Sequence, residues 1–237
     1  MIFNFLKKKK FKAKISILRE FQKPPFGGGN QFMLALKKEL SKKNYKISVN
    51  KINHNIDAFL FDSIWLNQRL FKSLDRLDNP IIGHRLDGPT QMYRRGDNQI
   101  DNQIFKLNDQ YASVSIVQSL YALNALNSYQ YYPKNPKIIT NAVDYEIFFP
   151  KKTHTFNRKI KLISSSWSSN PMKGGPTYHW LDKNLNYDKF EYFFIGRVDG
   201  KFNNIKVIPP QDSYRLADYL RYSDIYITAT ENDSCSN

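Results

Sequence analysis

With 237 residues, the chain has room for one large domain or two modest ones, and its 41% hydrophobic and 15% aromatic content excludes disorder throughout. Thirty-six Lys and Arg against twenty-one Asp and Glu leave a net charge of +15, so the chain suits an anionic partner: nucleic acid, an anionic membrane surface or a nucleotide diphosphate. The bland alternative is a lysine-rich composition without functional meaning. The single cysteine, Cys235, excludes an internal disulfide framework and fits a reducing, cytoplasmic setting, and no run of about 18 apolar residues is present to span a bilayer.

In chain order, residues 1–13 read as a basic N-terminal tail. Lys7, Lys8, Lys9, Lys10, Lys12 and Lys14 would either fray into solvent or lie on an anionic membrane surface, with Phe3, Phe5 and Leu6 inserted. Lys14–Leu18 is a strand, Pro24–Asn30 a glycine-rich loop, and Gln31–Lys43 a helix. Further strands are expected at Tyr45–Val49, Asp57–Phe61, Pro80–Arg85, Ser113–Val117 and Lys137–Thr140. Helices are expected between them at Ile64–Leu74, Gln99–Asn108 and Ser119–Asn127. The alternation implies parallel strands joined by crossover helices, an α/β domain over 14–147. Periodicity stops at 148–158, which reads as a linker. A second α/β unit over 159–237 then begins. Its expected strands are Lys159–Ser164, Phe190–Ile195, Ile205–Val207 and Ile225–Ala229, and its helices Gly175–Leu185 and Ser213–Tyr222. A doubly wound domain ordinarily needs more chain than this, so the second domain is expected to be incomplete.

Four stretches carry polar chemistry at strand ends. Gly27, Gly28 and Gly29 leave backbone amides bare ahead of a helix, where a phosphate or a sugar face would approach closely; a purely structural turn is the alternative. The spacing is neither G-x-G-x-x-G nor a P-loop. Arg85 and Asp87, in His84–Pro89, lie at the carboxyl end of a strand, where open α/β sheets bind ligands. They would either meet a substrate or pair with each other and brace the loop, and Arg94 and Arg95 would join them or be solvated. Ser164–Gly175 sets hydroxyls, Asn170, Lys173, Gly174 and Gly175 at a strand-to-helix turn. There Lys173 would act as a point charge on a diphosphate, with a serine-rich surface turn as the alternative. Ala229–Asn237 is a ligand loop or a frayed end. Cys235 has no histidine at metal-ligand spacing, and no metal site is expected.

Taken in order, GGGNQ (Gly27–Gln31), HRLDGP (His84–Pro89) and IITNAVDYEIFFP (Ile138–Pro150) resemble segments of family 4 glycosyltransferases of the GT-B fold. So do SSSWSSNPMKGG (Ser164–Gly175), FFIGRV (Phe193–Val198) and LRYSDIYITATENDSCSN (Leu220–Asn237). The resemblance implies two Rossmann-like parallel-sheet domains facing a cleft, the second incomplete here. It implies a retaining, metal-independent transfer of a sugar from a nucleotide-diphosphate sugar to a glycan, lipid or protein acceptor. The donor is a substrate and no cofactor is implied.

By the same resemblance, Lys173 and Asp233 would carry the chemistry. Lys173 would stabilise charge on the departing nucleotide, and Asp233 would stand at the first acid of the family's Glu-x7-Glu signature. Gly27, Gly28, Gly29, Arg85, Asp87, Ser166, Asn170, Gly174, Ser236 and Asn237 would contact donor or substrate. The chain departs from the pattern at Ser165, Ser166 and Trp167, where an arginine is usual, so diphosphate binding would lean on hydroxyls and amides. The second acid would fall past Asn237, and the chain by itself is expected to show little transferase activity.

A basic nucleic-acid-binding protein is the competing reading, from the charge and the fifteen tyrosines. Aromatic runs such as Tyr192-Phe193-Phe194 and Phe148-Phe149 read instead as core, so no nucleic acid is expected. The absent dinucleotide fingerprint argues against a dehydrogenase or an epimerase.

Overall fold

The computed structural model describes residues 11–23, 25–63, 67–94, 98–150 and 158–233, and of residues 68, 93 and 94 the backbone alone. Lys7–Lys10, Pro24, Ile64–Leu66, Arg95, most of the expected linker, Ser234, Cys235, Ser236 and Asn237 therefore lie outside the described residues. The chain divides into two compact units. One comprises residues 1–21, 33–87 and 102–139, the other residues 22–32, 88–101 and 140–237.

The first unit is built on six parallel strands. Along the chain to residue 139 the elements are β1 (Lys14–Leu18), α1 (Gly28–Lys42), β2 (Lys46–Val49), β3 (Ala58–Asp62), α2 (Phe71–Leu74), β4 (Ile82–Leu86), α3 (Thr90–Arg94), α4 (Gln99–Tyr111), β5 (Val114–Val117), α5 (Leu120–Ser128) and β6 (Pro136–Ile138), of which α3 belongs to the other unit. The sheet order is β2-β1-β3-β4-β5-β6, so the order reverses between β1 and β3. Apolar residues of β1, β3 and β4 pack with α2 in one core cluster (Leu18, Phe59, Phe61, Phe71, Leu74, Ile82). A second cluster (Leu86, Ile104, Val117, Ala122, Leu126, Tyr131) joins β4 and β5 to α4 and α5.

Two expected elements differ in instructive ways. The first helix begins at Gly28 rather than Gln31, because the Gln31 N–H already donates to the Gly27 carbonyl at 3.2 Å. Two of the three glycines thus belong to its first turn, and only Gly27, at φ +37°, remains in the loop. The helix expected at Ile64–Leu74 is, in its described part, a 3-10 turn at Gln68–Leu70 running into α2. The Asn67 side chain takes the Arg69 N–H at 3.0 Å and tightens that turn.

The second unit adds β7 (Ile160–Ser166), α6 (Gly175–Asn184), β8 (Phe190–Gly196), β9 (Lys206–Ile208), α7 (Ser213–Arg221) and β10 (Ile225–Tyr226). Its sheet is also parallel, ordered β10-β7-β8-β9, so here the order reverses between β7 and β10. β10 is shorter than the expected Ile225–Ala229. The Ile227 carbonyl accepts from the Ser164 hydroxyl at 2.6 Å instead of from a strand amide, and the ladder stops. Leu162, Tyr178, Tyr192, Phe194 and Ile205 form the core. Tyr192 and Phe194 are buried as expected, but Phe149 is half exposed, with the Arg221 guanidinium over its ring at 4.4 Å. Buried Asp182, on α6, accepts from the Asn203, Asn204 and Ile205 N–H groups at 2.8–2.9 Å and so fixes the turn that leads into β9.

His84, on β4, is fully buried, stacked on Phe61 at 4.0 Å, and its Nδ1 lies 3.1 Å from the Asn108 side-chain nitrogen. Burial pushes its pKa down to about 3. The folded state therefore keeps His84 neutral where the unfolded chain, near 6.5, takes up a proton. Its contribution is intact above about pH 6.5 and erodes at about 1.4 kcal/mol per pH unit down to about pH 3. Asp62, held up at about 6 chiefly by burial, acts oppositely: it favours the folded state as pH falls from about 6 to 3.8. The two slopes nearly cancel between pH 6 and 4. His84→Asn is therefore expected to make stability change more favourably on acidification across that window than it does in the parent, because the opposing slope of Asp62 is then uncompensated. Urea titrations at several pH values check this, and an unchanged slope would refute the assignment.

Candidate donor and substrate sites

In an open parallel sheet, the crevice at a reversal of strand order, off the carboxyl ends of the strands, is where ligands bind, because the two following connections diverge there. In the second unit that place lies between the loops that follow β7 and β10.

The β7 loop is built turn by turn. The Ser166 hydroxyl donates to the Ser168 carbonyl at 2.7 Å, and the Ser168 hydroxyl accepts from the Asn170 N–H at 3.2 Å. The Asn170 side chain then caps the 3-10 turn Pro171–Lys173 by accepting from the Met172 N–H at 3.0 Å. Gly174 follows in the left-handed conformation at φ +90° and leads directly into α6. No other residue fits: a Cβ there would lie 2.6 Å from the Ala229 Cβ and 2.8 Å from its carbonyl oxygen.

That close approach lets the β10 loop be stitched on. The Glu231 N–H donates to the Met172 carbonyl at 2.9 Å, and the Ala229 N–H to the Tyr178 hydroxyl at 3.2 Å. The stitching delivers Asp233 to Lys173, with Nζ to Oδ2 at 3.3 Å and both side chains about one-third exposed. Gly175 opens α6 with no side-chain cap on the helix, and a Cβ there would meet nothing within 4 Å. The arrangement is an accessible lysine beside a helix start, two features that attract an anion. Of the residues expected to bind donor, Ser166, Asn170, Lys173, Gly174 and Asp233 come together here, Ser166 and Asn170 by shaping the loop.

In the first unit, Arg85 is buried on β4 and pairs with Asp87 just beyond it at 2.6 Å. Asp87 also accepts from the Ser63 hydroxyl at 3.2 Å and from the Gln118 side chain. The bracing role is thus present, while Asp87 keeps about a third of its side chain open. At the reversal between β1 and β3, Arg19 and Asp62 form a buried ion pair, their side chains 3% and 1% exposed. Sequence reading missed Arg19, Asp62, Ser63 and Gln118. The available signal was a charged or polar residue at the carboxyl end of each neighbouring strand. Among the described residues, no helix is long and apolar enough to cross a membrane.

No protein-family model matches the chain, and no curated protein matches it in sequence. Solved structures do. Sucrose-phosphate synthase from Thermosynechococcus elongatus superposes with a TM-score of 0.72 at 10% identity, over 95% of this chain and 77% of that one. The fold is GT-B. The E. coli trehalose-6-phosphate protein bound with UDP-2-fluoro glucose matches at TM-score 0.58 and 10% identity, over 94% of this chain and 79% of that one. OtsA in its apo form gives 0.51 and 11%, over 90% and 77%. At these identities, the GT-B likeness bears on the fold.

Proposed function

We propose that this GT-B chain is a glycosyltransferase that takes its sugar from a nucleotide diphosphate donor and passes it to a glycan, lipid or protein acceptor. The observation that carries the proposal is the position of Lys173 at the strand-order reversal of the second sheet, a third exposed, beside the uncapped start of α6. Lys173 meets the diphosphate, and the free N–H groups at the start of α6 donate to its remaining oxygens. Negative charge grows on the leaving nucleotide as the glycosidic bond breaks, and a fixed cation there stabilises the transition state more than the ground state. Asp233 holds the lysine in place before the donor arrives. The order of the six motifs favours family 4, with retention of configuration, hexosyl transfer and no metal. The UDP-2-fluoro glucose bound to a protein of the same fold supports the donor class. Arg85 and Asp87 contribute substrate contacts from the first unit, and Gly27 offers its backbone. The basic tail through Lys14 gives peripheral contact with anionic membrane.

Thermal shift with a panel of nucleotide sugars, UDP-glucose and GDP-mannose among them, tests this reading. A donor at about a hundred times its Kd adds about 2.7 kcal/mol to folding stability. Lys173→Ala is expected to weaken binding about 10- to 100-fold, the worth of one charge-assisted hydrogen bond to phosphate, and to erase most of the shift. A full shift in the variant would refute the role of Lys173. Salt-sensitive oligonucleotide binding with no response to any nucleotide sugar would replace the proposal with nucleic-acid binding.

A further inference from the structure

Lys173 does not meet an incoming anion with a whole positive charge, because Asp233 already sits 3.3 Å from its Nζ. A diphosphate bound there needs a second cation. We infer that Arg197, at the end of β8, is that cation and a diphosphate-binding residue of this chain; the inference rests on the donor site proposed above.

Arg197 is anchored to the loop that carries Lys173. Its backbone N–H donates to the Ser166 carbonyl at 2.9 Å, where that loop leaves β7. Gly196 makes this approach possible. It sits at φ +127°, and a Cβ on it would fall 1.8 Å from the Ser166 carbonyl oxygen. The Arg197 guanidinium lies over the Trp167 ring, 4.6 Å from its centroid. Stacking occupies the face of the guanidinium and leaves its in-plane N–H fork unused. Among the described residues nothing accepts from that fork, and the side chain is exposed.

The contrast within the same unit is informative. Arg158 holds Asp224 through two bonds at 2.8 and 3.1 Å, and Arg221 holds Asp218. Those guanidiniums are committed to carboxylates, whereas that of Arg197 is pre-oriented on an indole with its donors open. A planar fork of this kind matches two phosphate oxygens at once. Because β8 flanks β7 on the side away from β10, Arg197 reaches the loop that carries Lys173 from the side opposite Asp233.

Isothermal titration of the 237-residue protein with UDP, GDP, the corresponding monophosphates and inorganic pyrophosphate tests the inference, alongside Arg197→Ala, Arg197→Lys and Lys173→Ala. Expected is a tenfold or larger loss of affinity for the better nucleoside diphosphate in Arg197→Ala, with a clearly smaller loss for its monophosphate. Arg197→Lys, which keeps the charge but not the fork, should recover only part of the loss. The melting temperature of ligand-free Arg197→Ala should match that of the parent. Loss on Lys173→Ala without loss on Arg197→Ala would overturn the inference and leave the donor site standing. Equal losses for mono- and diphosphate would also overturn it, since the guanidinium would then be reading another part of the nucleotide. If the parent protein binds none of the ligands, the inference and the donor site fall together.

Discussion

Gly196→Ala is expected to lower the stability of the second unit by more than about 4 kcal/mol, a range that ordinary substitutions do not reach. Two independent costs act at this position. The backbone sits at φ +127°, which an L side chain rarely adopts. The new Cβ would also meet the Ser166 carbonyl oxygen at 1.8 Å and its carbonyl carbon at 2.8 Å. These are backbone atoms, so no rotamer change relieves the clash and the last step of the β7–β8 pairing must open. Opening it breaks the Arg197 N–H bond to Ser166 and frees the loop that presents Lys173. Gly175→Ala is the matched control. Its Cβ enters open space at the start of α6, where alanine favours the helix, and stability should stay the same or rise by up to about 1 kcal/mol. Urea denaturation followed by far-UV circular dichroism separates the two variants. Equal midpoints would show that the strand ends are not held as described.

The sequence made the alternation of strands and helices legible because both sheets are parallel and buried, so their strands read as short apolar runs divided by helical periods. KISIL and FEYFFI are clear examples, and the observed strands begin within two residues of those read. Boundaries set by one side chain were harder to see. The capture of the Ile227 carbonyl by the Ser164 hydroxyl ends β10 early, and nothing in the run ITATEN announces it.

The candidate site was legible where local chemistry builds it. Asn170, Pro171, Lys173 and Gly174 form a cap, a turn and a left-handed exit that short-range pattern reveals. Partners distant in the chain were not legible. The approach of Asp233 to Lys173, and of Arg197 to Ser166, depends on strand order, which places β10 and β8 on opposite sides of β7. The same holds for Arg19 and Asp62, which lie 43 residues apart.

That last pair gives a second large expected effect. Arg19 and Asp62 are almost wholly enclosed, and the backbone of Arg19 is held on both sides by Asn50, which takes its N–H at 2.9 Å and donates to its carbonyl at 3.1 Å. Because Asn50 pins the backbone of Arg19 and the pairing with Arg85 on β4 holds that of Asp62, neither side chain can move out to water when its partner is removed. Asp62→Leu should therefore strand a buried guanidinium, and Arg19→Met a buried carboxylate, each costing about 3–5 kcal/mol. The double variant replaces two desolvated charges with apolar volume and should be more stable than either single variant, a non-additivity of several kcal/mol in a double-mutant cycle. The single variants should also differ with pH. Burial already raises Asp62 to about 6 while Arg19 pulls it down. Without Arg19 it rises further, so Arg19→Met should regain stability as the pH falls from 7 to 5, where the carboxylate is neutralised, whereas Asp62→Leu should show no such recovery. Additive single and double variants, or an acid response shared by both singles, would mean that the charges at the β1–β3 reversal do not act as a buried pair.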